Sequence, residues 1–348
     1  MISIIGAGPA GSYLASLLEG DVRIFDYKEE IGRPIQCTGV LTNGFQSYIK
    51  EKKFIDNKIY NIELNSKNNK HTVKLKKPEF IIDRHKYDHY LLENAIDRGV
   101  KFYPKHMLKN FSRNKINFTN SKSYRTDIMV GADGPVSKVN KIAGIQNKKY
   151  WIAKQIKVKY KTDPHTYRVF FDIPDFFSWV VPENENIARI GCASSKNVNN
   201  HFKNLIKKLN VKEKNIIEHQ GALIPKYHPL QKYSKDNVYL IGDAASQVKS
   251  ISGGGLLPSI RAGNALANAL NNNKSYHSEL SDLRRTLNLN YLTRKFLNNL
   301  TEKDYDTLIN ILKQYKLDKL DRDDLNISDF VKPKLISFSL KTIMRNFS

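Results

Sequence analysis

An apolar run, Ile2-Ser3-Ile4-Ile5, meets a glycine-rich turn at Gly6; a mixed segment, Ser12 to Glu19, follows, and a second apolar run, Val22 to Phe25, ends in Asp26. That succession predicts strand, tight turn, helix and strand, which is half of a βαβ unit. Residues 59 to 76 alternate about the polar turn Lys67 to Lys70, which predicts a hairpin closed by Pro78. Tyr87, Leu91, Leu92, Ala95 and Ile96 recur at helical spacing in a segment running to Arg98, with Gly99 at the stop position. Short alternating strands then lead past Tyr124 to an apolar strand, Asp127 to Val130. Alternation from Ala153 to Val158 and an aromatic run bounded by Pro174 predict a second sheet between Trp151 and Gly191. Val238 to Ile241 reads as a short buried strand and Leu256 to Leu270 as a helix rich in alanine. From Tyr276 onward the chain is helical, charged and free of glycine.

The expected fold is α/β (α+β). A Rossmann-like domain over residues 1–58, 79–150 and 236–275 is interleaved with an antiparallel-sheet domain over 59–78 and 151–235, and a helical region occupies 276–348. A chain of 348 residues has room for this, since a domain takes roughly 100–200 residues. With 40% hydrophobic residues it can bury a core, which excludes disorder. No run approaches the roughly 18 apolar residues of a membrane-spanning helix, and Met1 to Ile5 reads as a strand rather than as a signal peptide. Cys37 and Cys192, the two cysteines, suit a reducing, cytoplasmic setting.

The net charge of +23 recruits polyanions in principle. The lysines are dispersed, however, and accompany Asn, Ile and Tyr in the manner of AT-rich coding. Composition therefore explains the charge better than a nucleic-acid site does, and no nucleic-acid partner is expected.

Gly6-Ala7-Gly8-Pro9-Ala10-Gly11 stands after a strand and opens a helix, where backbone N–H groups and the helix N-terminus face a pyrophosphate. Asp26 lies 20 residues after Gly6, the spacing of a carboxylate that binds an adenosine ribose hydroxyl. Two further segments are Gly131-Ala132-Asp133-Gly134-Pro135 and Leu240-Ile241-Gly242-Asp243-Ala244-Ala245. Gly253-Gly254-Gly255 then precedes the helix that starts at Leu256, so its amides are expected to be free and to add to a positive helix end.

Taken in this order, these segments resemble the motifs of the glutathione-reductase-like, single-Rossmann flavoproteins, a superfamily of aromatic hydroxylases, halogenases and geranylgeranyl reductases. The resemblance implies FAD, with Asp133 and Gly134 in the internal motif and Gly242 and Asp243 in the distal motif, whose Asp binds the ribityl chain. It places Arg84 at a helix start near the flavin and Gly253, Gly254, Gly255 and Leu256 beside the flavin ring.

Within that superfamily, Pro174-Asp175-Phe176-Phe177-Ser178-Trp179-Val180-Val181-Pro182 resembles the geranylgeranyl reductase signature. Alternate strand residues share a face, so Phe177, Trp179 and Val181, with Pro182, are expected to form an apolar wall for an isoprenoid. Gly32-Arg33-Pro34-Ile35-Gln36-Cys37-Thr38-Gly39 looks like the Cys-x-Gly segment of prenyl reductases. It adds Arg33 to the cofactor set and makes Cys37 the catalytic candidate. The resemblance covers roughly residues 1 to 275; Phe177, Val181, Ser246 and Pro258 depart from its pattern.

It implies an FAD-dependent reductase of isoprenoid double bonds in prenylated lipids, with NAD(P)H or a ferredoxin as electron donor. Such a protein would be a monomer, cytoplasmic, and peripheral at the inner face of the cell membrane. The alternative is an FAD-dependent monooxygenase or halogenase of an aromatic or apolar small molecule. Aromatic strand residues are also ordinary sheet core. His85 and His89 are spaced to clamp a metal, but with no third ligand beside them no metal is expected. Pro333 to Phe347 spaces Ile336, Leu340, Ile343, Met344 and Phe347 among Lys334, Lys341 and Arg345. It reads as a basic amphipathic helix that docks on the protein or rests on a membrane.

Overall fold

The computed structural model describes residues 1–112, 114–146, 148–314 and 338, and the amphipathic segment expected from Pro333 onward lies outside them. The chain forms two compact units. One comprises Met1–Ile35, Arg84–Tyr150 and Leu223–Leu292; the other comprises Gln36–Asp83, Trp151–Ala222 and Thr293–Ser348.

The first unit is built on a six-stranded sheet in the spatial order Ser234–Lys235, Val238–Leu240, Ile128–Gly131, Ile2–Ile5, Val22–Phe25 and Lys101–Tyr103. All pairings are parallel except the Ser234–Lys235 edge. Strands buried on both faces need apolar residues without alternation, and Ile4, Ile24 and Val130 are fully buried. From the central strand Ile2–Ile5 the chain builds outward to Val22–Phe25 on one side and later to Ile128–Gly131 on the other. The switch point therefore falls at the carboxyl end of Ile2–Ile5, where the glycine turn begins.

The first helix runs Pro9–Ala15, earlier than the Ser12–Glu19 expected from sequence. Proline is preset for a helix's first position, and at the other end the Ser16 hydroxyl donates to Tyr13 O over 2.8 Å, taking up a carbonyl of the last turn. Pro258 occupies the first turn of Leu256–Asn271, where its missing N–H costs no bond. Helix Arg84–Ile96 and a small antiparallel sheet of Leu108–Ser112, Lys115–Phe118 and Ser123–Arg125 complete the unit's framework.

The second unit carries an eight-stranded sheet: Ile216–Pro225, Tyr150–Lys159, Ile187–Ser194, Ser178–Pro182, Thr166–Phe170, Ile55–Asn65, Lys70–Ile82 and Val40–Leu41. From Tyr150–Lys159 to Val40–Leu41 in that order, neighbouring strands pair antiparallel apart from Thr166–Phe170 against Ile55–Asn65. The hairpin turns at Ser66–Asn69 as expected, but Pro78 does not close it. The strand continues to Ile82, and Pro78 sits in a register shift that relieves it of donating to the ladder.

The division differs from the expected one at several boundaries: 36–58 and 79–83 fall in the second unit, 223–235 and 276–292 in the first, and the C-terminal region is divided between the two rather than standing apart. Residues 36–58 join the second unit because Val40–Leu41 extend its sheet edge and Phe45 packs edge-on against Phe54 and Phe80. The helix Glu302–Gln314 also belongs there, through Tyr305 stacked on Phe171 at 4.7 Å. Tyr276, by contrast, is tied to the first unit by a hydrogen bond to Leu240 O.

Candidate functional site

The glycine turn packs as its spacing requires. Gly6 has φ +109°, and a Cβ there would stand 2.3 Å from Ala132 O; a Cβ on Gly11 would stand 2.0 Å from Gly6 O. Both approaches forbid a side chain. A Cβ on Gly8, the helix N-cap, would meet nothing within 4 Å, so the space before the helix is open. Among the described residues, the amides of Gly8, Ala10 and Gly11 have no protein acceptor, whereas Ala7 N donates to Asp26 Oδ2 over 2.7 Å. Pro9, at the first helical position, has no amide to offer.

The three acidic motif residues have different employment. Asp26 is buried, and its second oxygen accepts from Lys28 N over 2.9 Å, so it braces the turn with both oxygens. Asp133 serves the helix Lys138–Ala143: it accepts from Lys138 N, Val139 N and the Ser137 hydroxyl. Burial pushes its carboxyl above the usual range, against those hydrogen bonds. The structure thus adds a capping role that the motif did not predict, while Gly134 beside it borders open space. Asp243 is the exception, since no donor among the described residues reaches its carboxylate. Burial pushes its carboxyl up, against the opposing charges of Lys148 and Arg84.

Asp243 is held by its neighbours' backbone. Gly242 N donates to Gln247 Oε1 over 2.7 Å, and Gln247 in turn donates to the Tyr276 hydroxyl. Lys148 Nζ donates to Asp243 O over 2.8 Å and to Pro135 O over 3.1 Å, pinning the two aspartate motifs to one ammonium. Ser246, where a glycine was expected, adopts φ +53°, the left-handed backbone that glycine favours.

The glycine run differs from expectation in its amides. Gly253 N donates to Lys249 O over 2.8 Å and Gly254 N to the Ser252 hydroxyl over 3.3 Å. Gly255 caps the helix, and a Cβ on it would stand 3.0 Å from Asp243 Oδ1. The free positive end therefore begins at Gly255 and Leu256 rather than at Gly253, because the turn itself consumes the first two donors. Arg84 starts its helix as expected, but its guanidinium forms a two-pronged pair with Asp88 at 2.9 Å and 2.9 Å. Arg33 is 64% exposed and pairs with Glu30.

In the second unit, Cys37 is half-buried and its Sγ accepts from Gly39 N over 3.3 Å. Gly39 has φ +72°, and a Cβ there would stand 2.3 Å from Arg189 Nη1. Arg189 is 3% exposed; it donates to Thr38 O over 2.7 Å and to Glu183 over 2.6 Å. Trp179 and Val181 are buried in the strand Ser178–Pro182, and Phe177 meets Trp179 edge-on at 5.9 Å. Arg294, 3% exposed, lies over the Phe176 ring at 5.1 Å, and burial pulls its guanidinium down to about 10.

No protein-family model matches the chain. It is 28% identical over 295 residues, 75% of each chain, to the digeranylgeranylglycerophospholipid reductase 2 of Methanosphaera stadtmanae. It is 30% identical over 277 residues to an uncharacterized protein of Methanocaldococcus jannaschii, covering 73% of this chain and 70% of that one. A geranylgeranyl bacteriochlorophyll reductase-like protein from Thermoplasma acidophilum has the same fold, with a TM-score of 0.82 at 20% identity over 98% of this chain and 95% of that one. The chain belongs to the geranylgeranyl reductase family. The flavin-dependent brominase Bmp2 shares the fold more loosely, with a TM-score of 0.63 at 15% identity over 91% of this chain and 87% of that one.

As a member of the geranylgeranyl reductase family, the chain is an FAD-dependent oxidoreductase. The residues present fit the group: among the described residues three amides have no protein acceptor and the Asp243 carboxylate no donor, and Gly8 and Gly134 border open space. Sequence reasoning missed Lys148, Gln155, Glu183 and Arg189. Lys148 carries no local signal among 57 basic residues, whereas Arg189, in the apolar strand Ile187–Ser194, is a charge at a core position and could have been found.

Proposed function

We propose that this protein saturates isolated C=C bonds of isoprenoid chains on prenylated lipids. The Asp243 carboxylate carries the flavin half of the reading: half-buried, and reached by no donor among the described residues, it stands open to a ligand hydroxyl. Gly8, Ala10 and Gly11 would hold the pyrophosphate by their amides, and Gly255 and Leu256 would face the ring. Bound there and reduced by the electron donor, the flavin would supply the hydride of an alkene reduction.

The substrate half is supported by the buried strand Ser178–Pro182 with Phe177 just before it, and by relatives named for digeranylgeranylglycerophospholipids. An isoprenoid offers no polar handle along its chain, so its binding is apolar burial at about 25 cal/mol per Å². An isolated alkene has no carbonyl to polarise, and the protein's task is to position the bond and exclude water. Reduction also needs one proton, for which Cys37 is the candidate source. No helix among the described residues is long and apolar enough to cross a membrane. The lipid would be reached from the surface: Lys226, His228, Lys232 and Lys235 line a cavity of about 670 Å³ with Leu230, 85% exposed, at the same place.

The test is anaerobic reduction of the purified protein with NAD(P)H or with a reduced ferredoxin, followed by addition of geranylgeranylated lipid. Flavin reoxidation with a product two hydrogens heavier per bond is the expected result, and the faster reductant is the donor. Reoxidation by oxygen alone, with hydroxylated or halogenated product, would transfer the protein to the monooxygenase and halogenase reading.

A further inference from the structure

The sequence offers His85 and His89 one helical turn apart, and the structure supplies the missing partner. Both imidazoles project from the helix Arg84–Ile96 with ring centroids 4.4 Å apart and planes inclined by 20°. Glu30, on the loop after Val22–Phe25, brings its Oε1 to 2.7 Å from His85 Nε2. That loop is seated on the helix: a Cβ on Gly32 would stand 2.9 Å from His85 Cα. One ligand atom from each of Glu30, His85 and His89 lies within 4.8 Å of the other two. His89 Nε2 is buried and has no hydrogen-bond partner among the described residues.

We propose that Glu30, His85 and His89 form a binding site for a divalent transition-metal ion of the zinc class. Two imidazoles and one carboxylate are a borderline donor set that suits zinc, whereas calcium and magnesium take oxygen donors. Ligand atoms held at ~2.0–2.1 Å by a tetrahedral ion stand about 3.4 Å from one another. Entry of the ion replaces the Glu30–His85 hydrogen bond with two metal bonds and adds a third from the His89 imidazole. Arg33, whose Nε is 3.4 Å from Glu30 Oε1, is 64% exposed and is free to swing into solvent as the cation arrives. Water completes the coordination.

The site has a structural consequence independent of the lipid substrate. It ties the loop that follows Asp26 to the helix headed by Arg84, joining two elements of the flavin-binding unit at a point where the chain itself provides an exposed ion pair. A metal bond that spans sequence-distant segments stabilises the folded state by mass action.

The test uses the purified full-length chain without an affinity tag, stripped by chelator dialysis, equilibrated with Zn²⁺ at pH 7.5 and assayed for bound metal by mass spectrometry of the elements. The expected result is one zinc per chain, with affinity at least tenfold weaker in Glu30→Gln and His89→Gln and unchanged in His219→Ala. A zinc-dependent rise in melting temperature that disappears in His89→Gln gives a second readout, and circular dichroism checks that each variant is folded. Less than a tenth of an equivalent in the wild-type chain, or equal affinity in wild type and both site variants, overturns the proposal.

Discussion

Trp179 and Thr38 converge on one acceptor. The indole Nε1 donates to Gln155 Oε1 over 2.8 Å, the Thr38 hydroxyl donates to the same oxygen over 3.1 Å, and Gln155 Nε2 donates to Gln220 over 2.6 Å. The aromatic strand and the Cys-x-Gly segment, distant in sequence, are thereby fixed to one side chain within the second unit. Gln155→Leu keeps the volume and removes the acceptor, leaving a buried indole N–H without a partner. An unmet buried donor costs about 1–3 kcal/mol, so the variant is expected to melt several degrees lower. Turnover on prenylated lipid is expected to fall while bound FAD stays stoichiometric; loss of FAD instead would remove Gln155 from the substrate side.

Asp243 and Asp133 carry similar motifs and are expected to fail differently. Asp243→Ala removes an acceptor that no donor among the described residues uses, so FAD affinity is expected to drop about tenfold to a hundredfold, the worth of one charge-assisted hydrogen bond, with little loss of apoprotein stability. Asp133→Ala uncaps the helix Lys138–Ala143 and is expected to lower the melting temperature of the apoprotein itself. Flavin titration and thermal melts of both apoproteins separate the two.

The two cysteines are expected to differ in reactivity. Burial pushes the Cys192 thiol up to about 12, so it holds almost no thiolate at pH 8, while Cys37 is half-buried. Iodoacetamide under native conditions is expected to label Cys37 and spare Cys192, as read by peptide mass spectrometry. Turnover should fall in step with Cys37 labelling, and full activity after complete labelling would remove Cys37 from the chemistry.

Lys148 gives a pH signature. Burial pulls its ammonium down to about 8 from the ordinary 10.5, so between these values the unfolded chain binds more protons at this residue than the folded one. Its contribution to stability therefore rises as pH increases from about 8 toward 10.5 and is constant below that window. The stability of wild type relative to Lys148→Met is expected to improve across that range. Denaturant melts at pH 7.5, 8.5 and 9.5 check the slope; a difference independent of pH would mean that the ammonium is not desolvated.

Local pattern and spacing were enough to fix the glycine turn, the parallel strands about it and the family, because each rests on short-range rules: apolar runs make buried strands, Gly6 and Gly11 admit close backbone, and the motifs keep their order. The hairpin about residues 66–69 was legible for the same reason. What tertiary structure decided is which polar atoms are already satisfied. Nothing in the spacing separates Asp26 and Asp133, occupied by backbone amides, from Asp243, which no donor among the described residues reaches, and nothing local marks Lys148 as the cation that holds two motifs together. Likewise only folding brings Glu30, on a loop some 55 residues before His85, to its imidazole. Hydrogen bonding and ion pairing act over about 3 Å of space whatever the distance along the chain, so their partners are set by the packing of elements rather than by any pattern within one.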